Sequence, residues 1–351
     1  MIMANGRADF DAVSTTGGEA GRLSGWPVAV AVIVVLNVLG WGMLLLVVMP
    51  SGVSYAAGGS TALAVGLGAY ALGMRHAFDA DHIAAIDNTT RRFVDRGRPA
   101  STVGLWFSLG HSTVVLLLCA ALAVGLSAAA SAISDDDSAV RGFTGVWGPT
   151  VSSVFLLAIA AINVWSLRQA RRAGSDAGSG GPMWWLMRRF EAVIDRPSRM
   201  FGVGFAFGIG FDTATEIGLL AIAGAATLGQ VPWWAVMTLP VLFAAGMSLL
   251  DTTQGALMRR AYAWRTPTAD GVPLQRRGIA YPLLMTGISA VVAIVVAAVQ
   301  LAGVGTDTFG WGGLVERIGS ADLETMGIYL TVALLAIWAV AAVALVLRRR
   351  A

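Results

Sequence analysis

The chain of 351 residues has no lysine, one cysteine and three histidines, and charged residues make up only 13% of it. Each scarcity excludes something. A soluble chain of this length carries about twice as many charges. With a hydrophobic fraction of 56% and a mean hydropathy of +0.70, a soluble enzyme is excluded. Cys119 stands alone in an apolar run, so no internal disulfide can form. The sequence Gly-x4-Gly-Lys-Ser/Thr is absent, and there is no lysine to complete one, so no nucleotide partner is expected. The basic residues are all arginine, which beside abundant Ala and Gly reads as genomic base-composition bias. The pI near 9.5 comes from arginines in loops and does not imply nucleic-acid binding.

What is present is apolar and clustered. Eight segments are long enough to span about 30 Å of hydrocarbon as helices. They lie near Trp26–Val48, Thr61–Ile86, Thr102–Leu126, Pro149–Leu167, Phe201–Ala226, Pro232–Met258, Ile279–Val304 and Met326–Leu347. The expectation is an all-α polytopic protein, a single membrane domain over 1–351 whose solvent is the lipid bilayer. The first segment is too long and too late for a signal peptide and is taken as retained. The second, fifth and sixth carry charges and glycines and are weak as plain spans.

Arginines give the orientation. Arg91, Arg92, Arg96 and Arg98 follow the second span, and Arg168, Arg171, Arg172, Arg188, Arg189, Arg196 and Arg199 follow the fourth. Arg259, Arg260, Arg265, Arg276 and Arg277 follow the sixth, and Arg348–Arg350 the eighth. The alternate loops are nearly bare of positive charge. Both termini are therefore expected in the cytoplasm, with a cytoplasmic tail over 1–25. Within the cytoplasmic loop 168–200, a flexible Gly/Ser linker leads into "MWWLMRRFEAVIDR". There Trp185, Leu186, Met187, Phe190, Val193 and Ile194 can share one face, as in an interfacial helix on the inner leaflet or an ordinary loop helix.

All three histidines, His76, His82 and His111, fall in expected spans, as do Asp79, Asp81, Asp212, Glu216 and Asp251. A charge at a helix centre costs about 2.5–3.5 kcal/mol. Five carboxylates would cost on the order of 10 kcal/mol, comparable to the stability of a whole fold. Such a cost implies mutual compensation, a bound cation, or both. Histidine with carboxylate is a ligand set for a divalent transition metal. On a regular helix His76, Asp79, His82 and Asp87 share an arc of about 140°, while Asp81 points the other way. Either Asp81 serves a neighbouring helix, or the helix is broken. Arg75, four residues before Asp79, is placed to neutralise it.

An internal echo accompanies these residues. "MRHAFDADHIAAI" and "GIGFDTATEIGLL" share Phe78-Asp79 and Phe211-Asp212, and "FSLGHS" matches "FAAGMS", setting His111 opposite Met247. The offsets are 133 and 136 residues, and the arginine topology runs the two copies in opposite directions. This is the pattern of inverted repeats, in which substrate sits at the midplane between discontinuous helices.

The stretch "RHAFDADHIAAIDNTTR" resembles the signature of the nickel/cobalt transporter family, His-x4-Asp-His in the second transmembrane helix, met here by His76, Asp81 and His82. "FSLGHSTVV", "GFDTATEIGLL" and "GMSLLDTTQG" are similar to that family's other three motifs, in order. The resemblance implies high-affinity import of Ni2+ or Co2+ through the cytoplasmic membrane, the metal being substrate and no cofactor being required. It implies that His76, Asp81 and His82 are essential for metal handling. The residues themselves add Asp79, His111, Asp212 and Glu216 as candidate ligands. Arg75, Asp87, Asn88, Ser112, Thr213, Thr215, Ser248 and Asp251 are candidate supports. His111 can alternatively orient a ligand from outside the metal's own shell. Asp212 and Glu216, four apart, can be ligands, proton carriers or paired supports.

Three rivals are weighed against this. An efflux protein of related architecture often carries a His-rich cytoplasmic loop, and no loop here contains histidine. An intramembrane metalloprotease needs the Glu of His-Glu-x-x-His, which is absent. A haem binder would use two facing histidines, formally His76 and His111, but leaves the carboxylates unexplained.

Overall fold

A continuous helix over residues 61–86 would point Asp81 away from His76 and His82, and the chain does not form one. The computed structural model describes residues 25–53, 61–123, 139–172, 194–210, 232–263, 280–333 and 336. Helix α1 (Trp26–Gly42) passes into a π-helical stretch at Met43–Val48, and helix α2 runs over Ala62–His76. Thr61 caps α2, its hydroxyl accepting from the Ala64 amide at 3.2 Å. After His76 the chain tightens, with Phe78 N–H donating to Arg75 O and Asp79 N–H to His76 O. Asp79 then takes an extended conformation (ψ 138°) and its carboxylate accepts from the Ala80 amide at 2.9 Å, opening helix α3 at Ala80–Asp95. Asp81 lies in the first turn, where the helix dipole favours negative charge. The expected second span is thus two half-helices meeting at Ala77–Asp79. The acidic residues that mark it also start the second half.

Residues His82 to Phe93 of α3 are all buried, although more than half of them are polar or charged. They are covered by helices α4 (Val103–Ala123), α5 (Ala139–Arg172), α7 (Trp233–Ala263) and α8 (Ala280–Phe309). A short 3₁₀ turn at Pro197–Arg199 leads into α6 (Met200–Gly208), and α8 is followed by α9 (Leu314–Gly319) and an apolar helix α10 (Leu323–Ala333). No strand occurs among the described residues. Five helices there are long and apolar enough to cross a membrane: α1, α4, α5, α7 and α8. Helix α1 shows its valines and leucines outward, as a lipid-facing helix does.

Several boundaries differ from the sequence expectation, the start of α5 most of all. Helix α5 begins at Ala139, ten residues before Pro149, which sits inside it. Trp147 donates to the Ala206 carbonyl at 3.2 Å and Gly148 packs on Gly210, so contacts with a neighbouring segment carry the helix across the proline. Helix α8 likewise continues past Val304 to Phe309. The expected interfacial helix, most of the fifth span and the end of the eighth lie outside the described residues.

Glycines let the helices cross at backbone contact. A Cβ on Gly73 would meet the Phe243 carbonyl, and one on Gly246 would meet that of Tyr70. A Cβ on Gly204 would meet the Phe107 carbonyl, and one on Gly110 that of Phe201. Helix α2 is thereby pressed on α7, and α6 on α4, in the small-residue packing that membrane helices use in place of a hydrophobic driving force. Replacing Gly73 or Gly204 by Ala should cost about 1–3 kcal/mol through overpacking and lower the melting temperature in detergent. Gly68→Ala in α2, where an added Cβ meets nothing, should not. Equal melting of all three variants would show that the crossings do not hold the fold.

Candidate metal centre

The break after His76 brings three imidazoles together. His76 closes α2, His82 stands in the first turn of α3 and His111 projects from the middle of α4. One ring nitrogen of each lies within 4.8 Å of those of the other two, close enough to hold a metal ion. The Nε2 atoms of His76 and His111 are 3.0 Å apart, and the three ring centroids are 4.6–4.8 Å apart. All three side chains are buried, at 5%, 2% and 1% exposure, so bulk water does not solvate them.

The spacing discriminates between uses. Two nitrogens each about 2.1 Å from one metal ion and at right angles are about 3.0 Å apart, while axial ligands on opposite sides of a haem iron are about 4 Å apart. The His76–His111 separation fits neighbouring ligands on one ion and leaves no room for a porphyrin between the rings. Phe107 lies edge-on to His82 at 4.8 Å, and Phe243 lies 5.9 Å from His76, so apolar walls close the cluster on two sides. On a third side Asp251 is fully buried, with its carboxylate 3.8 Å from His82 Nδ1 and neither oxygen hydrogen-bonded among the described residues. A buried carboxylate without donors is costly unless a cation or proton compensates it.

The other expected residues take separate places. Asp79 caps α3, and Asp81 accepts from Gln300 on α8 at 3.0 Å while lying close enough to His76 to interact with it electrostatically. Asp87, one to two turns deeper, accepts from Tyr262 at 2.7 Å and from Ser289 at 3.0 Å. Asn88 bonds to the Ala84 carbonyl and accepts from Asn163 at 2.9 Å. Ser112 lies against the Met247 sulfur, and Ser248 pairs with Ser108 at 3.0 Å, tying α4 to α7. Arg75, placed by the sequence to neutralise Asp79, forms a two-pronged ion pair with Glu324 at the start of α10. Asp212, Thr213, Thr215 and Glu216 lie outside the described residues.

Sequence reasoning passed over Gln300, Ser153, Asn163, Tyr262 and Ser289. Gln300 carried a signal, being the one polar side chain between Ser289 and Thr306 in an apolar run. The serines, asparagine and tyrosine did not stand out from ordinary helix-bridging residues.

The family described as high-affinity nickel-transport protein matches residues 62–344, from the start of α2 through α10. The chain belongs to this nickel/cobalt transporter family. It is 42% identical over 327 residues to the nickel transporter NicT of Mycobacterium tuberculosis, covering 89% of this chain and 86% of that one. It is 34% identical over 334 residues to the nickel transporter NixA of Staphylococcus aureus, covering 90% and 93%. It is 38% identical over 288 residues to the cobalt transport protein NhlF of Rhodococcus rhodochrous, covering 78% of each. No solved structure gives a significant match. Membership of a transport family, with several helices long and apolar enough to span, makes this a multi-pass membrane protein.

If the three imidazoles hold one metal ion together, each should matter separately. His76→Ala, His82→Ala and His111→Ala should each lower Ni2+ or Co2+ affinity at least tenfold, measured by calorimetry on purified protein. Wild-type affinity in the His111 variant would remove that residue from the metal's shell.

Proposed function

We propose that the protein is a secondary transporter that imports Ni2+ and/or Co2+ across the cytoplasmic membrane, holding the ion at His76, His82 and His111. The buried three-histidine cluster at a helix break carries this reading. Imidazole suits Ni2+ and Co2+, whereas a hard cation calls for a shell made of carboxylate, carbonyl and water oxygens. Asp251 stands beside it, and Asp212 and Glu216 from the fifth span complete the ligand set. Asp79 and Asp81 contribute by starting α3 in the right direction.

The architecture we infer is a single domain of eight spans with both termini, the tail 1–25 and the loop 168–200 in the cytoplasm, the loop carrying an interfacial helix. Halves 61–126 and 201–258 are related by a pseudo-two-fold axis in the membrane plane. The glycine crossings support this relation. The pair Tyr70, Gly73 recurs as Phe201, Gly204 at an offset of 131 residues, and Phe107, Gly110 as Phe243, Gly246 at 136. Each first helix crosses the other half's second helix, and each ends two or three residues before its Phe-Asp pair.

Without a nucleotide motif, the membrane potential supplies the drive. Inward movement of a divalent ion is favoured by about 4.6 kcal/mol at 100 mV. Cells expressing the protein should accumulate radioactive nickel from dilute medium, cobalt should compete, and His82→Ala should abolish the gain. Lower cellular nickel with increased metal tolerance would instead identify an efflux protein.

A further inference from the structure

We infer that Gln300, aimed by Ser153, is a positioning residue for the metal centre, fixing Asp81 and through it the first turn of α3 that carries His82. The inference rests on the metal-transport reading above and adds residues that lie outside all four sequence motifs.

The geometry begins with what the break removes. In a continuous helix, backbone hydrogen bonds set the rotation of each turn against the one before. Between His76 and Ala80 that register is interrupted, so the rotation of α3 about its axis must be set by side chains. Asp81 is the first side chain of α3 to reach another helix. Its Oδ1 accepts from the His82 amide at 2.8 Å and its Oδ2 accepts from Gln300 Nε2 at 3.0 Å. Both oxygens are thus engaged, one by the neighbouring backbone and one by α8, with the Ser152 hydroxyl of α5 beside them. Successive residues on a helix differ by about 100°, so holding Asp81 toward α8 turns His82 toward α4 and α7, where His111 and Asp251 stand.

Gln300 is itself held. Its Oε1 lies 3.2 Å from the Ser153 hydroxyl on α5, which also reaches the Ala297 carbonyl at 3.2 Å. With Ser153 donating to Oε1, the amide NH2 faces Asp81. The reverse orientation would set two oxygen acceptors against each other. Ser153 is fully buried and Gln300 is 6% exposed, in a helix that is otherwise apolar for more than a dozen residues around it. A buried amide in such surroundings is costly unless its hydrogen bonds are made, and here both ends are satisfied. The relay Ser153–Gln300–Asp81 therefore joins α5, α8 and the start of α3, one residue from a metal-binding imidazole.

Gln300→Leu keeps the volume and removes the donor. It should weaken Ni2+ and Co2+ binding about tenfold or more and alter the visible absorption of bound Co2+, which reports coordination geometry. Ser153→Ala should act in the same direction and more weakly, and serves with Gln300→Asn where the Leu variant does not survive purification. The reversed pair Asp81→Asn with Gln300→Glu restores one donor and one acceptor with the charge moved to α8. It should recover most of the affinity lost by either single variant. Wild-type affinity and an unchanged Co2+ spectrum in Gln300→Leu, with binding still abolished by His82→Ala, would overturn the inference and leave the metal-site reading standing. A reversed pair as weak as the single variants would also overturn it, since Asp81 would then act directly. If the parent protein binds neither metal, the reading itself falls and this inference with it.

Discussion

Three imidazoles meet inside a packed helical protein only where the backbone turns to let them. A straight helix carries His76 and His82 six residues apart, about 9 Å along its axis, too far for one ion. The break at Ala77–Asp79 closes that distance and also explains the acids around it. Asp79 supplies the cap and Asp81 the first-turn charge that let a second helix start in the protein interior. The whole site depends on this local interruption.

An interrupted helix has polar backbone to satisfy and two ends free to move, and the surroundings answer both. Helix α10 presses Gly327 against the Phe78 carbonyl at the break, and Arg75 is tied to Glu324 on the same helix. Deeper along α3, Asp87 is held from α7 and α8, Asn88 from α5, and Arg91 donates to Thr286 at 2.8 Å. These bonds fall on one helix after another, so α3 is fixed by its neighbours and not by continuity with α2. Glycine crossings bring those neighbours close enough to do it.

How much of this was legible in the sequence follows from the same physics. Hydropathy marked the apolar helices, since α1, α4, α7 and α8 each overlap an expected span. The cost of buried charge marked His76, His82 and His111, and those are the groups the fold gathers. Roles were harder. Asp79 and Asp81 were candidate ligands in the sequence, and the fold adds a second use for each, since a carboxylate in an apolar span can meet a metal, cap a helix or pair across one. Only the backbone path separates these uses. Arg75 was placed by helix spacing near Asp79, and the fold pairs it with Glu324, 249 residues away, a partner that local spacing could not show. The start of α5 was misplaced because Pro149 usually opens a helix, and packing against residues 206–210 overrides that preference.

The central claim is that one metal ion is held by several imidazoles at the helix break. X-ray absorption spectroscopy at the nickel edge, on protein loaded with one equivalent of Ni2+, tests it directly. The account predicts the outer-shell scattering of two or three imidazole rings, falling by one ring in His111→Ala. A spectrum of oxygen ligands alone, with no imidazole scattering, would contradict it.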